Sequence, residues 1–295
     1  MKLLRVGPPG AERPALLDQD GVLRDLSALV DDIDGGLLAD ASTLDRIRGA
    51  AGAGVLPALD ATGLRIGPPV GRIGKVVCIG LNYHGHAAET GQAAPAEPVV
   101  FLKAADTVVG PDDTVPIPPG AERVDWEVEL AIVVGKRASY LPSVEAALEH
   151  VAGYTVVDDV SERAWQIDDS LGQWSKGKCG PGFLPTGPGL VPADEVDPAD
   201  LRLRSFVNGE PRQDSSTTDM IFDVAAIVHH LSQYMALEPG DLICTGTPEG
   251  VALSGRFPYL ADGDVVELEI EGVGRQRHAF AAIPAAVPAT ASAQA

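Results

Sequence analysis

Residues 125–134 read Asp-Trp-Glu-Val-Glu-Leu-Ala-Ile-Val-Val, and the fold can be worked out from this stretch. The part from Trp126 to Val134 is typical of a β-strand in length and composition. Glu127 and Glu129 project from one face, while Val128 and Leu130 face the other way into apolar packing. Two carboxylates about 7 Å apart on one half-buried face repel each other unless a cation or water relieves them. From this pair alone, a solvent-facing acidic edge is the commoner interpretation.

A third carboxylate makes a metal site the better interpretation. Asp158-Asp159 ends a strand that begins at Tyr154, where a side chain can turn toward the face of a neighbouring strand. Hard cations such as Mg²⁺ and Ca²⁺ take oxygen ligands, and three carboxylates would leave positions for water or a chelating substrate. The spacing alone does not choose between Asp158 and Asp159.

The bulk properties are those of a soluble globular protein with a large core. The 295 residues include 22 basic and 42 acidic side chains, a formal net charge of −20, which argues against nucleic acid as a partner. The apolar runs are too short to cross a bilayer, and the N-terminus lacks the apolar core of a signal peptide. Three scattered cysteines, Cys78, Cys179 and Cys244, indicate reduced thiols and a cytoplasmic location.

The pattern along the chain predicts a mixed, mostly β (α+β) architecture without βαβ alternation. We expect strands near residues 3–6, 14–18, 75–80, 126–134, 154–157, 242–245 and 265–270, and helical pieces within residues 23–56 separated by Gly35-Gly36 and Gly52. Longer helices are predicted from Ser143, as N-cap, to Val151 and from Phe222 to Ala236. Gly67-Pro68-Pro69 marks a boundary between a small N-terminal domain (1–70) and a catalytic domain (71–280), and residues 281–295 are predicted to be disordered.

Several other side chains can take part in chemistry. If residues 84–90 form a helical turn, His86 and Glu89 are neighbours, and a carboxylate that orients an imidazole makes a general base. Lys178 lies in a glycine-rich loop, where a lysine can reach a substrate carboxylate or an oxyanion. Lys103 ends an apolar stretch, and Thr247 follows a strand in a loop that could bind an anion. For each of these side chains, the alternative interpretation is an ordinary structural role or simple exposure to solvent.

Taken together, the motifs resemble the fumarylacetoacetate hydrolase superfamily. The resembling segments occur in order between about residues 71 and 275: Gly80-Leu81-Asn82-Tyr83 with His86 and Glu89, Phe101-Leu102-Lys103, Asp125–Leu130, Gly153-Tyr154 to Ser161, Gly177-Lys178, Arg212-Gln213-Asp214, Asp219–Phe222 and Thr245–Pro248. Asp159 to Arg163, Gln166 and Gly172-Gln173-Trp174 are most similar to a bacterial subgroup described as diketo-deoxy-sugar-acid hydrolases or ureidoglycolate lyases.

The resemblance implies a β-sandwich roll, a homodimer, and a divalent metal held by Glu127, Glu129 and Asp159, with Mg²⁺ first and Mn²⁺ or Ca²⁺ as alternatives. It gives His86 and Glu89 the role of a catalytic dyad in a lid, and places Lys178 against the substrate oxygens. We predict that four further side chains bind the substrate: Lys103, Arg163, Gln166 and Thr247.

Two departures from the family pattern concern the substrate. The segment Cys179-Gly180-Pro181-Gly182 replaces a polar loop, which is expected to reshape the pocket wall beside Lys178, and Glu249 stands where a small residue is common. The leading hypothesis is hydrolytic C–C cleavage of a 2,4-dioxo acid of the acylpyruvate or diketo-deoxy-sugar-acid type. The alternatives are a decarboxylase, isomerase or lyase acting on an oxo-diacid through a metal-bound enolate, and a family member that binds metal without catalysis.

Overall fold

The computed structural model describes residues 1–284, which form two main β-sheets with short helices. The N-terminal elements are β1 (Lys2–Val6), β2 (Arg13–Leu17), β3 (Leu23–Asp25), α1 (Gly35–Leu38) and α2 (Ala41–Gly52). The central elements are β4 (Val76–Gly80), α3 (His84–Glu89), β5 (Val99–Lys103), β6 (Val108–Val109), β7 (Val115–Ile117), β8 (Val124–Asp125), β9 (Val128–Val134), β10 (Val151–Asp158), β11 (Ser161–Glu162), α4 (Ser175–Lys178) and β12 (Leu184–Pro192). The C-terminal elements are β13 (Arg202–Val207), β14 (Glu210–Ser216), α5 (Val224–Ser232), β15 (Leu242–Cys244), β16 (Val265–Ile270) and β17 (Gly274–Ala282).

The larger sheet has the strand order β3-β2-β1-β12-β10-β9-β15-β4-β5, with β6 beside β12. The smaller sheet has the order β14-β13-β16-β17-β7, and β8 and β11 form a separate two-stranded ladder. Within the larger sheet β15 runs parallel to β4 and antiparallel to β9. This mixed, mostly β architecture confirms the predicted fold class.

Strand β9 lies at the centre because its apolar side chains alternate between two cores. Val128, Leu130 and Ile132 belong to the core that also contains residues of the smaller sheet. Ala131 and Val133 belong to a second core that is shared with the N-terminal strands and helices. The face that carries Glu129 is therefore buried as well, and it is not the solvent-facing edge of the alternative interpretation.

The predicted continuous strand from Trp126 to Val134 was wrong at its start. The amide of Trp126 bonds the Asp125 carboxylate at 2.9 Å, and the amide of Glu127 bonds Oδ1 of Asp158 at 2.8 Å. Because side-chain oxygens satisfy these two amides, the regular ladder begins only at Val128. Glu127 therefore lies in a short irregular segment between β8 and β9.

The predicted helix from Ser143 to Val151 was also wrong, since only Ala147–His150 forms a single 3₁₀ turn. The carbonyl of His150 accepts the amides of Gly135 and Lys136 at 2.7 and 3.2 Å, so the end of this segment is bonded to the neighbouring strand connection. A nine-residue helix is marginal by itself, and these tertiary hydrogen bonds decide its conformation.

The helix predicted from Phe222 to Ala236 is present but shorter, because Asp223 caps α5 and the Ser232 carbonyl accepts the amide of Tyr140 at 2.7 Å. Within residues 23–56, Leu23–Asp25 forms a strand where a helical piece was expected. Gly35 and Gly36 open helix α1 after the Asp34 cap, so they do not separate two helices.

The N-terminal strands continue the larger sheet, because Leu3 of β1 pairs with Leu190 of β12. The division into domains at residue 70 remains a prediction. Ala281 and Ala282 complete β17, and residues 285–295 of the predicted tail lie outside the described residues. Within residues 1–284, no helix has the length and apolarity that crossing a membrane requires.

Candidate metal and substrate site

Glu127, Glu129 and Asp159 meet in one buried cluster, and one oxygen from each lies within 4.8 Å of the others. The antiparallel pairing of β9 and β10 brings them together: Val157 lies opposite Glu129, and the amide of Asp159 bonds the carbonyl of Glu127 at 3.0 Å. Asp158 points elsewhere, so the structure places Asp159 in the cluster. That these three residues bind a metal remains a prediction.

Two of the three carboxylates are held by buried cations. Nζ of Lys178 lies between Glu127 and Asp159, 2.7 Å from Oε2 and 2.8 Å from Oδ2. Nη2 of Arg163 lies 2.6 Å from Oε1 of Glu127 as an ion pair, although its angle is not that of a hydrogen bond. Nζ of Lys103 bonds the other oxygen of Asp159 at 2.6 Å. Glu127 and Asp159 are therefore fixed by protein contacts on both of their oxygens.

These charges shift the pKa values of the groups that carry them. Burial raises the pKa of Glu127, but Lys178 and Arg163 outweigh it and lower that pKa to about 2. Burial lowers the pKa of Lys178, and Asp159 and Glu127 raise it above its usual value. Lys178 is therefore held as a positive charge between these two carboxylates.

Glu129 has a different environment. Its Oε2 accepts the amide of Gly246 at 2.8 Å, and within residues 1–284 no lysine or arginine forms an ion pair with it. Burial, then the negative charges of Asp159 and Glu127, raise the pKa of Glu129 well above 4.5. A buried carboxylate without a cationic partner, beside two others, is the observation that fits a hard divalent cation at this cluster.

The predicted His86–Glu89 dyad forms in helix α3. Nδ1 of His86 lies 3.2 Å from Oε1 of Glu89. Glu89 also accepts the amide of Gly250 at 3.1 Å and Nη2 of Arg256 at 2.5 Å. Burial raises the pKa of Glu89, but the hydrogen bonds from His86 and Gly250 outweigh it and the pKa is lowered. An ionised Glu89 is therefore in place to orient the imidazole.

His86 of the dyad and two members of the acidic cluster line the same cavity of about 200 Å³. Its wall includes His86, Glu127, Glu129 and Lys178. The size of the cavity and its mixed wall suit a small organic acid rather than a polymer.

The four predicted substrate-binding residues have different surroundings. Lys103 is fully buried, bonds Asp159 and lies outside the cavity wall. Arg163, in the wall, pairs with Asp125 at 2.8 Å and with Glu127, and donates to Oε1 of Gln166 at 2.9 Å. Lys103 and Arg163 therefore orient the carboxylates, whereas the wall residue Gln166 keeps its amide NH₂ group for a ligand.

Thr247 also lies in the cavity wall, but its hydroxyl already has two protein partners. It donates to the carbonyl of Val128 at 2.9 Å and accepts Nε2 of Gln213 at 2.8 Å. A contact between this hydroxyl and a substrate can use only its second lone pair.

Sequence reasoning assigned no role to three polar side chains that support the site from behind. Gln213 accepts the amide of Val128 at 3.1 Å while it bonds Thr247. Asn82 joins the start of α3 to β15 through the carbonyl of Thr245 at 2.8 Å. His278 bonds Asp158 at 2.8 Å, and Asp158 holds the amide of Glu127. Asn82 and Gln213 belong to the motifs that carry the family resemblance, and that membership could have pointed to their role. His278 belongs to none of these motifs, so nothing in the sequence indicated its role.

The loop that was expected to reshape the pocket wall contributes no residue to that wall, and its effect on the pocket remains a prediction. None of Cys179, Gly180, Pro181 and Gly182 belongs to the cavity wall. Sγ of Cys179 instead accepts the amide of Ala104 at 3.2 Å, and it lies 3.7 Å from the carbonyl of Leu102. Glu249 lies against helix α3, where a Cβ atom on Gly85 would come within 2.2 Å of Oε2.

Comparisons with known proteins give one consistent family. A family model described as fumarylacetoacetate (FAA) hydrolase C-terminal matches residues 75–281. A protein of Burkholderia multivorans with the general name of a hydrolase is 50% identical over 280 residues, which cover 94% of this chain and 97% of the relative. Maleylpyruvate hydrolase from Sphingobium sp. SYK-6, solved with manganese(II) and pyruvate, is 29% identical with a TM-score of 0.79, covering 96% of this chain and all (100%) of that chain. The 5-carboxymethyl-2-hydroxymuconate delta-isomerase from Mycobacterium smegmatis is 32% identical with a TM-score of 0.76. The match covers 97% of this chain and 100% of that chain.

Proposed function

This chain belongs to the fumarylacetoacetate hydrolase family, and on that premise we propose that it hydrolyses a C–C bond in a 2,4-dioxo acid. The substrate would be of the acylpyruvate or diketo-deoxy-sugar-acid type. One observation carries the proposal: His86 of the dyad lines the same small cavity as Glu127 and Glu129, two members of the buried carboxylate cluster that Asp159 completes. The maleylpyruvate hydrolase similar to this chain supports it, since that protein was solved with manganese(II) and pyruvate.

The three carboxylates would hold a divalent cation, for which we propose Mg²⁺ with Mn²⁺ or Ca²⁺ as alternatives. When bound, such an ion supplies Lewis-acid stabilisation of negative charge on the oxygens of an oxo acid. Lys178 and Arg163 keep Glu127 ionised and oriented, and Lys103 does the same for Asp159. These cations are therefore positioning residues for the carboxylates.

The dyad would supply the base. Glu89 accepts the Nδ1–H of His86, which leaves Nε2 unprotonated and able to take a proton from water. The water oxygen bonds to C4 of the substrate, the C3–C4 bond breaks, and C3 takes up a proton. One dioxo acid and one water thus give pyruvate and a second carboxylic acid, which is a hydroxy acid when the substrate is a diketo-deoxy-sugar acid. The positive charge of Lys178 at the cavity wall would stabilise the oxyanion on C4.

A second candidate is isomerisation of an oxo-diacid without attack by water, and decarboxylation or a lyase step belongs to the same class. The similarity to the Mycobacterium smegmatis isomerase favours it, since that protein aligns over the whole of its chain. A binding protein without catalysis is the third candidate.

The test is a panel of 2,4-dioxo acids assayed with Mg²⁺ and with Mn²⁺ in ¹⁸O-labelled water. Hydrolysis creates a new carboxylic acid that carries label from the water, whereas isomerisation and decarboxylation create no new carboxyl group. Label is therefore counted only in carboxylates, since ketone oxygens exchange with water without the enzyme. Turnover without label would replace hydrolysis by the second candidate. Binding of Mg²⁺ or Mn²⁺ without turnover of any compound would support the third.

We further propose that the protein works in the cytoplasm, because Cys78, Cys179 and Cys244 are all free thiols.

A further inference from the structure

The wall of the cavity combines charged and polar groups with a set of apolar side chains. Besides the acidic residues, His86, Arg163 and Lys178, it contains the polar side chains Thr90, Gln92, Gln166 and Thr247. The other six side chains are apolar and are called the apolar end below: Ile79, Leu81, Phe101, Ile167, Trp174 and Leu253. We infer that the group attached to C4 of the substrate is an uncharged, mainly apolar tail, and that the enzyme discriminates against substrates whose tail ends in a second carboxylate. This inference rests on the proposed function, since it extends the substrate of that same site.

The charges around the cavity support an uncharged tail. The described wall residues include two cations, and both are already paired: Arg163 with Asp125 and Glu127, and Lys178 with Glu127 and Asp159. A carboxylate at the apolar end would therefore lose its hydration without gaining a free cation. Such a penalty for an unpaired polar group corresponds to a loss of about 10–100-fold or more in binding.

The apolar end is a built aromatic surface. Trp174 packs edge-on against Phe101, with ring centroids 5.7 Å apart and an interplanar angle of 63°. Gly80 lies under the indole, where a Cβ atom would come within 2.3 Å of Cζ3. The absence of a side chain at Gly80 thus lets Trp174 close over this part of the cavity.

Ile167 completes this end from the π-helical turn Ala164–Asp168, and its side chain is 47% exposed. The same turn carries Gln166, whose Oε1 is bonded by Arg163. The π-helical turn therefore presents both a polar group and an apolar group to the cavity. π-Helical turns of this kind occur frequently at functional sites.

The first experiment compares three substrates with the same 2,4-dioxo acid head: 2,4-dioxooctanoate, 2,4-dioxoheptanedioate and its 7-amide. The amide has the shape of the carboxylate without its charge, which makes it the matched control. We expect kcat/KM to be highest for the butyl tail and at least about tenfold higher for the amide than for the diacid. Each added CH₂ group is expected to raise kcat/KM about fourfold up to the length of the cavity. A diacid that equals or exceeds the amide would overturn the inference.

The same three compounds are also measured by calorimetric titration of the Mg²⁺-loaded protein. If none is hydrolysed, the proposed hydrolysis fails, while the three Kd values still decide the tail. The expected order of affinity is the same as for kcat/KM. Equal or tighter binding of the diacid refutes the uncharged tail whether or not turnover occurs.

A substitution at Ile167 tests where the tail lies. Ile167→Lys places a cation at the apolar end, and we expect the preference for the amide over the diacid to fall by at least about tenfold or to invert. Ile167→Met has similar reach without charge and should keep the order of the wild type. A folded Ile167→Lys protein with an unchanged ratio would contradict the placement, and the wild-type panel tests the inference if that variant does not fold.

Discussion

Replacing two carboxylates of the cluster, one at a time, separates their structural contribution from metal binding. Glu127→Gln removes the negative charge that faces both Lys178 at 2.7 Å and Arg163 at 2.6 Å. Glu129→Gln removes a charge whose protein contact is the amide of Gly246, which a glutamine oxygen can still accept. The two substitutions therefore have opposite expected effects on the metal-free protein.

The magnitudes follow from the partners that remain. Breaking a buried ion pair from one side costs about 3–5 kcal/mol when the other charge stays buried without compensation. After Glu127→Gln, Lys178 keeps Asp159 and Arg163 keeps Asp125, so this cost is an upper bound. At about 2–4 °C per kcal/mol, Glu127→Gln should lower the Tm of the metal-free protein by at most roughly 6–20 °C. Burial raises the pKa of Glu129, so its ionised form destabilises the fold at alkaline pH. Glu129→Gln should therefore leave the Tm unchanged or raise it.

Both variants should lose the stabilisation that Mg²⁺ gives to the wild type. A ligand at about 100 times its Kd stabilises the folded state by about 2.7 kcal/mol. The assay is calorimetric melting at mildly alkaline pH, first with excess EDTA and then across a Mg²⁺ titration. Glu210→Gln, an exposed position on β14, is the matched control and should behave as the wild type in both conditions.

Two results would refute this reasoning. If Glu129→Gln destabilised the metal-free protein as much as Glu127→Gln, Glu129 would have a stabilising cation partner and the argument from its environment would fail. If Glu129→Gln kept the full Mg²⁺-dependent gain in Tm, Glu129 would not be a ligand.

Three further predictions follow from the site and from the family resemblance. The gain in Tm with Mg²⁺ should increase as pH rises above 4.5. The reason is that burial raises the pKa of Glu129, so the metal must displace the proton of this carboxyl group. A gain in Tm that is flat or falls with pH would contradict this prediction. His86→Ala should lower kcat by about 10²–10⁴-fold while the Mg²⁺-dependent gain in Tm is unchanged, and full hydrolysis by this variant would exclude the dyad as the base. We expect the protein to be a homodimer, with a mass in light scattering of twice 30.6 kDa. Leu102→Lys, on the exposed edge strand β5, should shift the dimer toward a monomer. A monomeric wild-type protein would contradict the predicted dimer.

The sequence was most informative where chemistry depends on local periodicity. Alternation along the strand predicted from Trp126 to Val134 indicated that Glu127 and Glu129 lie together, which they do although Glu127 precedes β9, and helical spacing predicted the contact between His86 and Glu89. Both follow from backbone geometry over a few residues, which is read directly from spacing. The ordered motifs then supplied Asp159, which spacing alone could not distinguish from its neighbour.

The sequence was least informative where long-range contacts decide. Asp158 turns away from the cluster because it bonds His278, which is 120 residues distant, and the amide of Glu127. Lys103 was predicted to bind substrate, but it is fully buried against Asp159. No local pattern indicates which lysine will pair with a protein carboxylate and which will stay free, since that depends on strand order in the sheet.

The formal charges of the site connect the metal proposal to the substrate inference. Among the described residues, four carboxylates and three cations form one contiguous network: Asp125, Glu127, Glu129, Asp159, Lys103, Arg163 and Lys178. Their formal sum is 3 − 4 = −1, and the excess negative charge falls on Glu129, where burial raises the pKa. A bound divalent cation would change the sum to +1, which a single substrate carboxylate neutralises. A second carboxylate on the substrate would leave the cavity with uncompensated charge, so the carboxylate cluster and the apolar wall both favour a monoanionic oxo acid.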